Sequence, residues 1–257
     1  MAESEKPRVV SINMCTDQLL LGLADPAQIL GVSRYGQDAA LSFFAGRANT
    51  HEALSGSAEE VLKLQPDLVL AGTFTDRATR EMLAAQGIPV KTFRPATTIE
   101  ESIKQIGLAG EWLGQEERAA AIIAEIQREA APAEARGVTA LYYQRRGFVS
   151  GESSLVSDLF EIVGLENAAA TFGAKRTGAV SLEQLISDPP DILVMADTTP
   201  DPADQGLALL SHPALGASVP PERRIELPQR LTVCGGPSVA PAIQHLRDAM
   251  RGLAATQ

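Results

Sequence analysis

The chain has 257 residues, of which 45% are hydrophobic and 21% charged, a balance typical of a protein with one large core or two modest ones. Its formal net charge of −10 argues against phosphate-backbone binding, so we predict no nucleic-acid partner. No apolar stretch reaches the length of a transmembrane helix. The polar start MAESEKP lacks the apolar core of a signal peptide and is the start expected of a mature chain with a replacement initiator methionine. Two cysteines are too few to predict a disulfide framework.

From the amino end, short apolar runs alternate with amphipathic segments, which is the pattern of an α/β lobe. Strands are predicted at 8–12, 29–33 and 90–93. Helices are predicted at 16–23, with Thr16 or Asp17 as the cap, and at 78–86.

Between these elements lies the first copy of a sixteen-residue pattern, SAEEVLKLQPDLVLAG at 57–72, which recurs as SLEQLISDPPDILVMA at 181–196. Each copy predicts a helix that opens on a capping box, Ser57 with Glu60 and Ser181 with Gln184. Each then passes through a proline into an apolar run that suits a buried parallel strand. One long-spaced repetition indicates two similar lobes rather than an array of small repeats.

The capping boxes leave one glutamate in each copy without a local partner. Glu59 and Glu183 occupy the second helical position, and we expect both to point outward. The helix macrodipole alone favours an acid there. The alternative is functional, because one acid at the same place on each lobe would serve a two-armed docking surface.

The remaining predicted elements are the last helix of the first lobe, a connecting helix and the elements of a second lobe. A helix is predicted at 99–113, followed by a second helical stretch from 115 to about 135, which would span on the order of 30 Å. Strands at 138–144 and 224–227, and a short strand or turn at 148–151, alternate with helices at 154–163, 205–210 and 238–253. We therefore predict an N-terminal lobe at 1–113, a bridging helix at 114–135 and a C-terminal lobe at 136–257. A ligand cleft is expected at the carboxyl ends of the strands.

The stretches RVVSINMCTDQLLLGLADPAQILGVS, SAEEVLKLQPDLVLAG and SLEQLISDPPDILVMAD resemble the substrate-binding proteins of bacterial ABC importers for cobalamin, ferric siderophores and haem. The resemblance covers residues 8 to 253. It implies an α/β fold of the class III periplasmic binding protein type, in which one long helix joins two lobes with mainly parallel sheets. In that family one glutamate on each lobe pairs with arginines of the permease dimer, and these positions fall on Glu59 and Glu183.

The resemblance also implies a function. We expect a periplasmic monomer, without enzymatic activity or a cofactor of its own, that delivers a metal chelate to the permease dimer of an inner-membrane ABC importer. The chelate would be a ferric siderophore or a cobalamin-type corrinoid. Two alternatives stay open, which are direct binding of a soft metal and a metal-chelate enzyme. The chain contains no G-x-G-x-x-G, Walker loop, nucleophile elbow or H-E-x-x-H to support an enzyme.

Ligand contacts are predicted partly from the resemblance. Aromatic side chains line the cleft of cobalamin-binding members, and Tyr35 fits one such position while Phe74 lies near another. Two further positions depart from that pattern, since the chain offers His51 before the first repeat copy and Arg176 before the second. A more polar cleft than a fully aromatic cobalamin site is expected.

Other ligand contacts are predicted because they follow strands: Met14, Cys15, Thr16, Tyr143, Arg145, Arg146, Arg230 and Cys234. Arginines there would pair with carboxylates of an anionic chelate, although Arg145 and Arg146 also fit a solvated loop. Cys15 and Cys234 are expected to face the cleft from opposite lobes. Together with Met14 and His51 they would form a soft-metal set. Their spacing matches no metal motif, so the metal assignment stays open.

Overall fold

The computed structural model describes residues 6–135, 137–196, 210 and 212–255. The chain divides into two compact units. Unit 1 comprises Met1–Ala96, Glu100–Ile126 and Val233–Val239, and unit 2 comprises Thr97–Ile99, Gln127–Thr232 and Ala240–Gln257. None of the helices in the described part of the chain is both long enough and apolar enough to cross a membrane.

Unit 1 contains a five-stranded parallel sheet with the strand order β3-β2-β1-β4-β5. Its strands are β1 (Val9–Ser11), β2 (Ile29–Ser33), β3 (Glu52–Leu54), β4 (Leu68–Gly72) and β5 (Val90–Phe93). Its helices are α1 (Met14–Leu23), α2 (Ala45–Ala48), α3 (Ala58–Leu64), α4 (Arg77–Ala85), α5 (Ile99–Leu113), which begins in unit 2, and α6 (Glu116–Glu129), which ends there. Buried aliphatic residues such as Val10, Val61 and Val69 fill the core.

Unit 2 contains a six-stranded sheet with the order β11-β10-β6-β7-β9, in which β8 also pairs with β6. Its strands are β6 (Val138–Tyr143), β7 (Phe148–Ser150), β8 (Leu165–Asn167), β9 (Thr177–Ala179), β10 (Ile192–Met195) and β11 (Arg224–Glu226). Only β7 runs antiparallel to its neighbours. The helices are α7 (Leu155–Ile162), α8 (Leu182–Ser187), α9 (Pro213–Ser218) and α10 (Val239–Ala255). The predicted α/β class with mainly parallel sheets is confirmed.

The two repeat copies form the same local structure in the two units. In each, a short helix leads into a strand that pairs in parallel with the first strand of its unit, β4 with β1 and β10 with β6. The aspartate of each copy has the same task, because Asp67 accepts the Arg8 backbone N–H at 2.8 Å and Asp191 accepts that of Thr139 at 2.9 Å. These bonds lower the pKa of both carboxyl groups. The aspartate of each copy therefore holds the repeat strand beside the first strand of its unit.

The predicted capping boxes are confirmed in part. In α8, Ser181 Oγ accepts the Gln184 backbone N–H, and Gln184 Oε1 accepts that of Ser181. In α3, Ser57 Oγ accepts the Glu60 N–H, but the Glu60 carboxylate binds the N–H and hydroxyl of Ser55 instead. The positive φ of 90° at Gly56 allows the turn that places Ser55 there.

Three other element predictions need correction or lie outside the description. Helix α1 is capped by Asn13, not by Thr16 or Asp17. Helix α6 ends at Glu129 rather than near 135, because Pro132 lacks an N–H and restricts the residue before it. The helix predicted at 205–210 falls on residues that, except for Leu210, are not among those described. The lobe limits at 113 and 135 and the bridging role of α6 stay predictions.

Candidate functional site

The candidate site in unit 1 lies at the carboxyl edge of its parallel sheet. Strands β1 and β4 are neighbours, yet the chain leaves β1 toward β2 and leaves β4 toward β5 on the other side. Adjacent strands with diverging connections form a topological switch point, where open α/β sheets bind ligands. A small pocket with a volume of about 60 Å³ is found here. Its lining residues are Asn13, Cys15, Leu19, Gly72, Thr73, Phe74, Phe93, Arg94, Pro95 and Gln105.

The first turn of α1 shapes one side of the pocket. Asn13 Oδ1 accepts the backbone N–H groups of Cys15 and Thr16 at 3.0 and 3.4 Å, which is how an asparagine caps a helix. Gly72 makes room for that side chain, since a Cβ there would lie 2.7 Å from Asn13 Nδ2. A glycine at the end of β4 thus lets α1 start directly beside the strand.

Phe74 and Arg94 line the pocket with an apolar and a cationic group. Phe74 follows β4 and is 87% exposed, an unusual state for a phenylalanine. Arg94 follows β5, is exposed, and forms no salt bridge with any residue that the structure describes. Gln105 of α5 donates from Nε2 to the Arg94 carbonyl oxygen at 2.8 Å and so fixes the backbone there. An aromatic face and a free guanidinium can together contact a planar or anionic ligand.

Tyr35 lies at the same edge, in the turn that follows β2. Its ring is 49% exposed, and the Arg34 guanidinium carbon lies 5.2 Å from the ring centroid. The Asp38 backbone N–H closes the turn by donating to the Tyr35 carbonyl oxygen at 3.2 Å. Tyr35 and Phe74 therefore stay candidate ligand contacts.

A buried carboxyl group lies beneath the Tyr35 turn. Asp17 of α1 is fully buried and accepts the Ser33 backbone N–H at 3.1 Å and the Ser33 hydroxyl at 2.5 Å. Burial raises the pKa of Asp17 to about 7, although hydrogen bonds from Ser11 and Ser33 oppose the rise. The turn passes close over it, since a Cβ on Gly36 would lie 2.8 Å from Asp17 Oδ2.

The two cysteines require a correction. Cys15 and Cys234 form a disulfide with a Cα–Cα distance of 5.2 Å, and both belong to unit 1 rather than to opposite lobes. The chain returns to unit 1 for Val233–Val239, which we call the return segment. Its close packing depends on glycines, because a Cβ on Gly235 would overlap the Ser102 side chain. Spacing in sequence could not indicate this pair, which only the return of the chain brings together.

The disulfide also removes the basis for a soft-metal set, since bridged sulfurs are not thiolate ligands. His51, the expected third member, lies just before β3 with its ring near the backbone of Ile29, the first residue of β2. That position is at the amino end of the strands, opposite the candidate site. Burial is the main cause that lowers the pKa of His51. No cluster of three or more His, Cys, Asp or Glu residues suited to a metal occurs in the described ranges.

Two other predicted ligand contacts are buried and hydrogen bonded. The Thr16 hydroxyl donates to the Asn13 carbonyl oxygen at 2.9 Å and lies 2.7 Å from Ser11 Oγ. Tyr143 donates its hydroxyl to the Val180 carbonyl oxygen at 3.0 Å. Burial raises the pKa of Tyr143, and the charge of Glu183 adds to the effect. Both residues hold local structure rather than present a surface. Met14 is partly exposed on the first turn of α1.

In unit 2 the predicted arginines lie in separate loops of the sheet. Arg145 and Arg146 are exposed in the turn from β6 to β7, and Arg146 has a left-handed backbone with φ of 60°. Phe148 follows directly and is 52% exposed. Left-handed residues other than glycine are uncommon and often mark functional turns.

The other two predicted arginines, Arg176 and Arg230, lie away from that turn. Arg176 precedes β9, whose far end pairs through Ala179 with Phe148, so the length of β9 separates Arg176 from the turn. Arg230 is exposed after β11, in a loop that the Tyr142 hydroxyl holds through Leu227 and Thr232.

Glu59 and Glu183 occupy equivalent positions in the two repeat helices, as predicted. Both are exposed in the first turn, and neither forms a salt bridge with a described residue. The pKa of Glu183 is lowered, mainly by a backbone hydrogen bond and the Ser181 side chain. Both side chains are thus open to a partner.

Several candidate residues were missed from the sequence. Phe148 and Arg94 carry no local motif, and their exposure in the structure makes them candidates. Asp17 was read as a possible cap because an acid near a helix start usually has that role. Arg94 had one available signal, since it follows a predicted strand just as the named residues do.

Comparison with known protein families places the chain in a class. A family model described as "Periplasmic binding protein" matches residues 9–218, and the chain belongs to that family. The chain is 30% identical over 206 residues to a protein of Halobacterium salinarum named "Cobalamin-binding protein", which covers 75% of this chain and 54% of that relative. The chain thus spans about half the length of that relative.

Solved structures share the fold. The apo form of the periplasmic heme-binding protein RhuT from Roseiflexus sp. RS-1 has a TM-score of 0.77 at 22% identity and covers 97% of this chain and 99% of its own. A periplasmic heme-binding protein from Pseudomonas aeruginosa has a TM-score of 0.74 at 21% identity, with 95% and 92% covered. At these identities the likeness shows the fold alone.

Proposed function

We propose that this chain is the periplasmic solute-binding component of an ABC importer and that it delivers a metal chelate to the permease dimer. The chelate is a ferric siderophore or a cobalamin-type corrinoid, and the protein acts as a monomer without catalysis. The observation that carries the proposal is the pair of exposed, unpaired glutamates at equivalent positions of the two repeat copies, in a chain of the periplasmic binding protein family.

Glu59 and Glu183 support docking because they have the same position on equivalent helices of the two units. Each glutamate follows a serine cap on a short helix, and the aspartate after each helix bonds the first strand of its unit. Neither side chain forms a salt bridge with a residue that the structure describes. Arginines of a two-fold permease are suited to such a pair, because guanidinium groups bind carboxylates in a bidentate manner.

The exposed aromatic and cationic side chains support a chelate as cargo. Unit 1 presents Tyr35, Phe74 and Arg94 at the carboxyl edge of its sheet, and unit 2 presents Arg145 and Arg146 beside Phe148. Aromatic faces pack against a macrocycle or an aromatic siderophore, and arginines neutralise carboxylates. The relative named as a cobalamin-binding protein favours a corrinoid as the first ligand to test.

The two alternatives lose their motivation. Direct binding of a soft metal relied on Cys15 and Cys234, which are bridged. The enzyme alternative relied only on the α/β architecture, which supports many functions. Neither has an observation in its favour.

The experiment is the absorption spectrum and native mass of the protein purified with its periplasmic contents. Corrinoids and ferric chelates absorb in different regions of the visible spectrum. We expect one visible chromophore and an adduct of one chelate per chain. A colourless protein that carries only a bare metal ion would contradict the proposal.

A further inference from the structure

Asp17 is a buried titratable residue of unit 1 to which the proposed function assigns no role. Its carboxylate is fully buried and accepts hydrogen bonds from the hydroxyl and the backbone N–H of Ser33. Among the residues that the structure describes, no basic side chain compensates it, although a buried carboxylate is ordinarily paired with a cation. Asparagine has the same shape without the charge. The residue therefore introduces a titratable group where a neutral one would fit.

The partners of Asp17 connect it to the ligand edge. Ser33 ends β2, so the carboxyl group of Asp17 on α1 holds the carboxyl end of the strand that leads into the Tyr35 turn. The Tyr35 turn begins at the residue after Ser33. Gly36 packs directly on Asp17 Oδ2. The carboxyl group therefore contacts Ser33 before the turn and Gly36 within it.

We propose that Asp17 is a positioning residue that holds Tyr35 in place for the ligand, so that ligand affinity depends on whether its carboxyl group is charged. This inference rests on the proposed function, since it assigns a role to Tyr35 in chelate binding. The charged form accepts both hydrogen bonds of Ser33. When the carboxyl group is protonated, one oxygen becomes a donor and the pair of bonds to Ser33 cannot be kept unchanged.

No other titratable group on the neighbouring elements replaces Asp17 in this role. Strands β1 and β2 carry no charged residue, and Asp17 is the only acid of α1. In the turn, Arg34 is exposed and bonds the Tyr35 hydroxyl at 3.3 Å. On the side of α2, the Arg47 guanidinium lies 5.6 Å from the Phe44 ring centroid, and the His51 ring lies at the amino end of β2.

The first test needs no ligand. In ligand-free protein, we expect the amide chemical shifts of Ser33, Tyr35 and Gly36 to change together between pH 5.5 and 8.5, with one midpoint near 7. Asp17→Asn should abolish that transition. Asp38→Asn is the matched control, because it removes an exposed carboxylate three residues after Tyr35 and should leave the transition intact. Ser33→Ala removes a hydrogen bond that lowers the pKa and should move the midpoint upward, which gives a second measure if Asp17→Asn folds poorly.

The second test uses cyanocobalamin and ferrichrome as probes, since neither is expected to titrate in this range. We expect the affinity of the wild type for the probe that binds to fall about fivefold from pH 8.5 to pH 5.5. This change corresponds to the net free energy that one hydrogen bond typically contributes. Asp17→Asn should show the lower affinity at every pH, and Asp38→Asn should follow the wild type.

An Asp17→Asn protein with the affinity and pH profile of the wild type would overturn the inference, as would turn amides that do not titrate. If neither probe binds at any pH, the proposed ligand class fails. The chemical-shift titration still decides whether Asp17 controls the Tyr35 turn.

Discussion

At the scale of single residues, Asp17 makes stability depend on pH in an unusual direction. Burial raises its pKa to about 7 from an unfolded value of 3.8, so the folded protein holds the proton more tightly than the unfolded chain does. Its contribution to the free energy of unfolding is then fully present below pH 4 and is lost as pH rises through 7. Hydrogen bonds shift the pKa of Asp67 and of Asp191 in the opposite direction.

We therefore expect Asp17→Asn to raise the free energy of unfolding at pH 8, by on the order of a few kcal/mol. At pH 4 the two proteins should be nearly equal, because the carboxyl group is largely protonated in the folded state and half protonated in the unfolded one. Urea unfolding at both pH values measures the difference. A variant that is less stable than the wild type at pH 8 would contradict the assignment of an uncompensated buried carboxylate.

Residue identities were predicted from the sequence where a local pattern fixes them. Glu59 and Glu183 lie in the first turns of the repeat helices, as the capping pattern predicts. Tyr35 and Phe74 lie at the carboxyl edge of the sheet, because residues that follow parallel strands meet at that edge. The prediction for His51 is wrong, because the resemblance puts a cleft residue shortly before the first repeat copy, whereas His51 lies before β3 at the amino end of the strands.

At the scale of elements, the return segment Val233–Val239 is the feature that the sequence did not reveal. Periodicity predicts helices and strands one at a time, and it carries no information about a segment that crosses back to another unit. The disulfide to Cys15 and the glycines of the segment hold it against α1 and α5. The limits of the predicted helices and strands lie close to those of the structure, except where Pro132 ends α6. The sequence did not predict α2, β3, β8, β9 and α9, because elements of three to six residues are too short to show a periodic pattern.

The bridge predicts that untreated protein contains no thiol that reacts with a maleimide, even after denaturation. Reduction should release two thiols, and replacing both cysteines by serine should lower the free energy of unfolding by about 2–4 kcal/mol. Mass spectrometry after alkylation and denaturant unfolding measure these effects. Two reactive thiols in protein purified from an oxidising compartment would contradict the bridge.

At the scale of the whole molecule, the account assigns ligand binding and permease docking to different residues. Ligand contacts are proposed at strand ends, and docking at the first turns of α3 and α8. The two functions should therefore be separable by mutation. The resemblance and the family match support both, whereas composition and charge alone excluded classes without choosing a function.

Reversing both docking residues, Glu59→Lys with Glu183→Lys, should abolish the complex with the permease, because each carboxylate would be replaced by a charge that repels the arginines. Ligand affinity should stay within a few-fold of the wild type. Co-purification with the transporter and a ligand titration measure the two effects. Reversing Glu60 is a suitable control on the same helix, because that carboxylate binds Ser55. A parallel loss of ligand affinity in the double variant would place the glutamates in the ligand site.

The most direct test of chelate binding is a calorimetric titration of the purified protein with cyanocobalamin and with ferrichrome, each in turn, with Phe74→Ala titrated in parallel. We predict that one of these chelates binds at one site per chain. The loss of an exposed aromatic face should weaken that binding about tenfold. Saturable binding of a bare metal ion with no binding of any chelate, or a chelate affinity that the Phe74 substitution leaves unchanged, would contradict the account.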